Sequence, residues 1–158
     1  MPNWCEGSLK VRGTIAQLRE FVLNGLHPVD WRGDHLPEIK LEDPESDTSI
    51  LSNGPVEGAL WIKGTRRHFC KPYFIEVYAE KPKEKVVLVL PFKAAWGIEA
   101  EDLRKVSESY HVDMKIFGVE RGMQFCQDIE IADGVVIKSE QITYDDWDWD
   151  CPFPEMGG

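Results

Sequence analysis

The sequence predicts an α+β fold in which two helices cover one face of a mainly antiparallel β-sheet. Two observations indicate this class. Residues 3–12 alternate between the two faces of a half-buried strand, and an amphipathic helix follows directly at 14–25. A second amphipathic helix, at 98–110, also lies between strand-like segments. Each helix therefore connects strands and has a sheet on which to bury its apolar side.

The first strand and the first helix have recognisable boundaries. Cys5, Leu9 and Val11 would share one face of the strand. Thr14 and Gln17 have the spacing of a capping box, which begins a helix by satisfying its free N–H groups. Gly25 suits the end of this helix because glycine readily adopts the left-handed conformation found there.

Residues 27–58 are expected to form an irregular insertion. Neither the helical nor the strand period persists in this segment, and four prolines interrupt it, namely Pro28, Pro37, Pro44 and Pro55. Loops of more than about 15 residues are uncommon in compact domains and are often functional.

The rest of the chain predicts strands around the second helix. Asp133 and Gly134 form a strong two-residue hairpin signal between strand-like segments. The predicted strands are 59–63, 73–80 and 86–92 before the helix, and 112–117, 123–132, 135–138 and 140–144 after it.

A helix that leaves a strand and returns to the sheet is the β-α-β unit of ferredoxin-like folds. The order of elements therefore predicts one domain over residues 1–158, a ferredoxin-like two-layer sandwich with both helices on one face. An acidic Trp/Asp-rich tail at about 144–158 follows the last strand and has no regular period.

Three segments carry a resemblance to a known family. They are MPNWC at 1–5 with the spacing Leu9-x-Val11-x-Gly13, FKAAWGIEAEDLRKVSESY at 92–110, and the strand 123–131 after the turn 120–123. Together they resemble the YubB ferredoxin-like domain family, a set of uncharacterised proteins from phages and conjugative plasmids. The resemblance implies a ferredoxin-like fold and an origin on a mobile element, and it implies no reaction, cofactor or catalytic residue.

The net charge of −10 is distributed unevenly. Residues 59–98 carry a net charge of +5, whereas residues 1–58 carry −5 and residues 99–158 carry −10. Most of the surface would therefore repel nucleic acids and anionic membranes, and only the middle segment could attract them. No apolar run approaches the roughly 20 residues that span a bilayer, and no secretory leader pattern is visible, so a cytoplasmic location is expected.

The tail contains the main candidate for a binding surface. If the segment is extended, its alternation places both indoles on one face and the carboxylates on the other. Such a strip could pack on the protein's own core, dock on a basic macromolecular partner, or hold a hard cation, although no EF-hand spacing is present. The leading hypothesis is a non-enzymatic accessory protein of a mobile element that binds a protein partner here. The residues are Asp145, Asp146, Trp147, Asp148, Trp149 and Asp150.

A basic segment at 63–74 supports an alternative function, which is binding of single-stranded nucleic acid. Its cations lie among aromatic residues, a combination that contacts phosphates and stacks on bases. The RNP1 signature of RNA-recognition domains is absent, and a solvated turn is the other interpretation of the same residues. The basic residues are Lys63, Arg66, Arg67, His68 and Lys71.

No pattern in the chain indicates catalysis, a metal or a cofactor. Nucleotide-binding, hydrolase and zinc-protease motifs are absent. The four cysteines stand far apart and are expected to be buried thiols, and the four histidines are isolated in the sequence. An enzyme with an unrecognised site remains a third hypothesis. Exposed sheet edges would allow a homo-oligomer, and Trp4 is expected to be a packing residue.

Overall fold

The structure is a computed structural model that describes residues 1–158, and it consists mostly of β-strands. No helix in it is long and apolar enough to cross a membrane. The strands are β1 (Trp4–Gly13), β2 (Leu26–Val29), β3 (Ser49–Asn53), β4 (Ala59–Ile62), β5 (His68–Cys70), β6 (Phe74–Tyr78), β7 (Val86–Ala95), β8 (Asp113–Glu120), β9 (Phe125–Ala132) and β10 (Val135–Ile142). The helices are α1 (Ile15–Glu20), α2 (Ala100–Tyr110) and α3 (Trp147–Asp150), and a π-helical turn, Phe21–Gly25, continues α1.

Eight strands form one sheet in the order β10-β9-β8-β1-β7-β5-β4-β2. Every neighbouring pair in this sheet is antiparallel. Strands β3 and β6 form a separate antiparallel pair. The first strand of the chain therefore lies inside the large sheet, between β8 and β7.

The prediction of a ferredoxin-like two-layer sandwich with two helices is wrong. The three α-helices contain only 6, 11 and 4 residues, against ten strands. Strands β5, β4 and β2 extend the sheet beyond β7, and β9 and β10 extend it beyond β8. The architecture is a β-rich fold in which most of the regular secondary structure is antiparallel β-strand and not helix.

Several local predictions are confirmed. The Thr14 hydroxyl accepts a hydrogen bond from the Gln17 N–H at 3.3 Å, and the Gln17 amide oxygen accepts one from the Thr14 N–H at 2.9 Å, which completes the capping box. Asp133 and Gly134 have positive φ angles of 41° and 80° and connect β9 to β10. Residues 27–58, predicted to be an irregular insertion, instead contain most of β2 and all of β3.

One large core is shared by the eight-stranded sheet, the two longer helices and the β3–β6 pair. Along β1, Leu9 and Val11 are fully buried in this core, together with Leu18 of α1 and Leu103 of α2. The alternate β1 positions point to the other side of the sheet, where Ser8 is exposed. We call this second side the open face.

Gly7 lies where β1 and β8 approach each other most tightly. A Cβ atom on Gly7 would lie 2.2 Å from the carbonyl oxygen of Phe117, a backbone atom of β8. Because β1 is held on both sides by hydrogen-bonded strands, it cannot move away from β8 without disturbing β7. Glycine is therefore required here by space and not by backbone angle.

We expect Gly7→Ala to lower the free energy of unfolding by about 2–3 kcal/mol, because the added methyl group forces β1 and β8 apart. Urea denaturation monitored by tryptophan fluorescence measures this change. The matched control is Ser8→Ala, at the exposed neighbouring position, which should change stability by less than about 0.5 kcal/mol. Equal stability of the two variants would contradict the packing of β1 against β8.

Candidate functional site

The open face carries a solvent-open cavity beside Trp4, which we call the Trp4 pocket. Its volume is about 460 Å³. Its wall combines three aromatic side chains, four cationic side chains and one carboxylate. These are Trp4, Trp31 and Phe69; Arg32, Arg67, Lys71 and Lys93; and Asp30.

Strand register brings the centre of the pocket together. Lys93 of β7 is paired with Glu6 of β1 on one side and with Phe69 of β5 on the other. Trp4 precedes Glu6 by two residues, so it points to the same face. The rings of Trp4 and Phe69 meet edge to face, with centroids 6.1 Å apart and an interplanar angle of 72°.

Two cations lie against the ring of Trp4. The Lys93 ammonium nitrogen is 4.4 Å from the ring centroid, and the Arg67 guanidinium carbon is 5.6 Å from it. Both distances are in the range of cation–π interactions. Arg67 has a left-handed backbone with φ of 56°, and its carbonyl accepts a hydrogen bond from the Ala95 N–H at 3.1 Å. That bond fixes the residue next to the end of β7.

The loop after β2 forms another wall. One oxygen of the Asp30 carboxylate accepts hydrogen bonds from the backbone N–H groups of Arg32, at 2.8 Å, and Asp34, at 2.9 Å. These bonds hold a compact turn that presents Trp31, which is 83% exposed. The Arg32 guanidinium carbon lies 4.7 Å from the Trp31 ring centroid. The exposed indole offers a flat aromatic surface at the pocket mouth.

The positive charge of the pocket is not balanced by the pocket's own residues. Asp30 is the single carboxylate in the wall, against four cationic side chains. One of its two oxygens, Oδ1, accepts the hydrogen bonds from the backbone N–H groups of Arg32 and Asp34. Burial lowers the pKa of Lys93, the positive charge of Lys71 lowers this pKa further, and Glu6 opposes the shift. An anion bound between these cations would reduce their mutual repulsion.

The basic segment predicted from sequence is divided by the structure. Arg67 and Lys71 line the Trp4 pocket, whereas Lys63 is exposed outside it. The Arg66 guanidinium points towards the start of α2, where it lies 3.2 Å from a carboxylate oxygen of Glu99. Only two of the five predicted residues therefore meet at one site.

His68, the fifth residue, is fully buried on the opposite side of the sheet from the open face. Its Nε2 accepts a hydrogen bond from the Glu99 N–H at 2.9 Å, and its Nδ1 then donates to the Arg66 carbonyl at 2.8 Å. Burial lowers the pKa of His68, which favours this neutral form. The histidine joins β5 to the start of α2 and cannot reach a ligand on the open face.

The acidic aromatic segment is not extended, so the predicted strip with both indoles on one face is wrong. Trp147 begins α3 and is only 5% exposed, and its indole N–H donates to the Pro154 carbonyl at 3.0 Å. Trp149 is 85% exposed. The Asp146 carboxylate caps the helix by accepting from the Trp149 N–H at 3.3 Å. Asp145, Asp146, Asp148 and Asp150 are all exposed.

Sequence reasoning missed four residues of the pocket, Asp30 among them, and favoured a packing role for Trp4 over contact with a ligand. Trp31, Arg32 and Lys93 come from parts of the chain that showed no binding motif. Their proximity depends on the pairing of β7 with β1 and β5, which no local pattern reveals. The one available signal was the charge of the middle segment, which includes Lys93.

His27 and His35 are not isolated, contrary to the sequence-based expectation. The Nδ1 atom of His35 is in close contact with Nε2 of His27, and a Glu38 oxygen lies 3.0 Å from Nδ1 of His27. No group of three or more His, Cys, Asp or Glu side chains is arranged to hold a metal ion. The contact connects β2 to the loop that follows it.

Comparisons of this chain with protein-family models, curated proteins and solved structures found no match. The resemblance to the YubB family therefore stays a prediction, and the site is interpreted from its own chemistry.

Proposed function

We propose that this protein binds single-stranded nucleic acid on the open face, with the Trp4 pocket as the principal contact. One observation carries the proposal: four cationic and three aromatic side chains line a single cavity on a protein whose net charge is −10. Four cations share this cavity with one carboxylate, so the pocket is locally positive although the protein as a whole is acidic.

The chemistry of the pocket fits the two repeating parts of a nucleic-acid strand. Arginine and lysine side chains contact phosphates, and exposed aromatic rings stack on unpaired bases. Trp31 is the most accessible ring, since the ring of Trp4 is already in contact with Lys93 and Arg67. Stacking on such a ring contributes about 1–3 kcal/mol per base and is tolerant of sequence.

The surface beyond the pocket favours a chain over a single nucleotide. A second cavity, of about 420 Å³, shares Phe69, Lys71 and Lys93 with the Trp4 pocket and continues along the open face past Ser8. A third cavity, of about 440 Å³, adjoins the second and is lined by Lys10 and Lys115 of β1 and β8, among others. Lysine side chains border all three depressions, and each depression also has one carboxylate in its wall, namely Asp30, Glu6 and Asp128.

We expect the double variant Arg67→Ala/Lys93→Ala to bind a fluorescein-labelled single-stranded oligonucleotide of about 15 nucleotides roughly tenfold or more weakly at low salt. The logarithm of the association constant falls linearly with the logarithm of the salt concentration. If each lost cation neutralised one phosphate, the slope of this line should be less negative in the variant than in the wild type by about 1.4. Fluorescence anisotropy over a salt titration measures both quantities.

The matched control is Lys63→Ala/Lys85→Ala, which removes two exposed lysines that do not line the pocket. The control has the same net charge as the test variant, but because its two lysines lie outside the pocket it should bind within about twofold of the wild type. Equal losses in the two double variants, or no binding by the wild type at low salt, would overturn the proposal.

A second candidate is a protein-binding surface at α3, the leading hypothesis from the sequence. The specific observation in its favour is the 85% exposure of Trp149 among four exposed aspartates, which suits a basic partner with an apolar pocket. Trp147 belongs to the protein's own interior. A role as an accessory protein of a phage or plasmid rests on the family resemblance and stays a prediction.

We expect Trp149→Ala to abolish capture of any partner that binds at α3, because the exposed indole would be its anchor. Affinity capture with the immobilised full chain, followed by mass spectrometry, compares this variant with the wild type. Trp31→Ala serves as the control, since it removes an equally exposed indole from the loop after β2, the strand at the opposite edge of the sheet from β10. Identical sets of captured proteins from all three baits would contradict this second candidate.

A further inference from the structure

Two cysteines from different parts of the chain meet beneath the C-terminal segment. Cys126 belongs to β9, and Cys151 directly follows α3. Their sulfur atoms are 3.7 Å apart, and both residues are buried, at 0% and 4% exposure. They form a small apolar cluster with Val119 and Trp147, separate from the large core. The contact exists only because the C-terminal segment docks on the sheet.

We propose that Cys126 and Cys151 form a reversible disulfide that fastens the C-terminal segment to the eight-stranded sheet. Two thiols in contact need to approach by roughly 1.7 Å to reach the S–S bond length of about 2.05 Å. Cys151 can supply this movement because it follows a four-residue helix and forms no strand pairing. Cys126 is held by pairing with Val119 on one side and Ile142 on the other.

The oxidant would be a small-molecule disulfide such as oxidised glutathione. The thiolate of one cysteine attacks a glutathione sulfur, which gives a mixed disulfide and releases one glutathione. The second protein thiolate then attacks the protein sulfur of the mixed disulfide, forming the Cys126–Cys151 bond and releasing the second glutathione. The two protons of the protein thiols end on the two glutathione thiols, so two protein thiols are oxidised and one disulfide is reduced.

The surroundings favour Cys151 as the first to react. It is the more exposed of the two, and it lies outside the paired strands, so only a local opening of the C-terminal segment is needed to expose it. Burial raises the pKa of the Cys126 thiol to about 12, and the hydrogen bond with Cys151 contributes in the same direction. A thiol in this environment is a poor first nucleophile, whereas it is well placed to complete the bond once the segment closes again.

The disulfide would fix a segment that borders the Trp4 pocket. The Gly158 N–H donates to the Trp4 carbonyl at 2.9 Å, and Met156 lines the two cavities next to the pocket. An exposed ion pair between Arg121, directly after β8, and Glu155 of the C-terminal segment also holds the segment in place, with 3.6 Å between the charged atoms. The inference does not depend on nucleic-acid binding, because it concerns only how the segment is held.

The experiment treats the full chain with oxidised glutathione, alkylates the remaining thiols under denaturing conditions, and maps the peptides by mass spectrometry. We expect a single cross-linked pair, Cys126 with Cys151, and free Cys5 and Cys70. The oxidised protein should unfold several degrees higher than the reduced protein, and a reducing agent should reverse the shift. Glutathione adducts without a cross-link, or a cross-link to Cys5 or Cys70, would overturn the proposal.

Two variants test which cysteines form the disulfide. Cys151→Ala should show no increase in melting temperature on oxidation, whereas Cys5→Ala/Cys70→Ala should show the full increase because it keeps only the proposed pair. If either variant fails to fold, peptide mapping of the wild type still decides the question. An oxidation-dependent increase in Cys151→Ala would contradict the assignment of the bond.

Discussion

The position of β1 between β8 and β7 is the constraint on which the rest of the structure depends. Alternation along this strand sends Leu9 and Val11 into the core and leaves Trp4 and Ser8 on the open face. Antiparallel pairing with β7 then determines which side chains accompany Trp4, since a shift of one residue would move Lys93 to the buried side. The same register that builds the core therefore also assembles the pocket.

Electrostatics divides the molecule into surfaces with different chemistry. Most of the negative charge lies in the first 58 and last 60 residues, while the +5 middle segment contributes Arg67, Lys71 and Lys93 to one cavity. Burial, and after it the positive charge of Lys71, lowers the pKa of Lys93, so holding these cations together costs free energy in the unbound protein. Such an arrangement is retained at binding sites for anions more readily than at sites that only stabilise a fold. The segment around α3 has the opposite character, because Asp145, Asp146, Asp148 and Asp150 are all exposed there.

The sequence predicted local features with strong signals and failed where long-range pairing decides the outcome. The Thr14–Gln17 capping box and the Asp133–Gly134 turn were predictable because both depend on residues within a few positions of each other. Strand β5 has three residues and β2 has four, which is too short for a recognisable period, so the width of the sheet and the fold class were missed. Alternating Trp and Asp residues predicted an extended strip, but the cap at Asp146 and the burial of Trp147 favour a helical turn.

The proposed contact is between a strand of nucleic acid and the open face at the Trp4 pocket. Titration of ¹⁵N-labelled protein with a single-stranded oligonucleotide, followed by NMR, detects such a contact residue by residue. We expect the indole N–H signals of Trp4 and Trp31 and the amide signals of Phe69 and Lys93 to shift with added oligonucleotide, while the indole signal of Trp149 stays in place. A spectrum that does not change, or shifts confined to Trp149 and its neighbours, would contradict it.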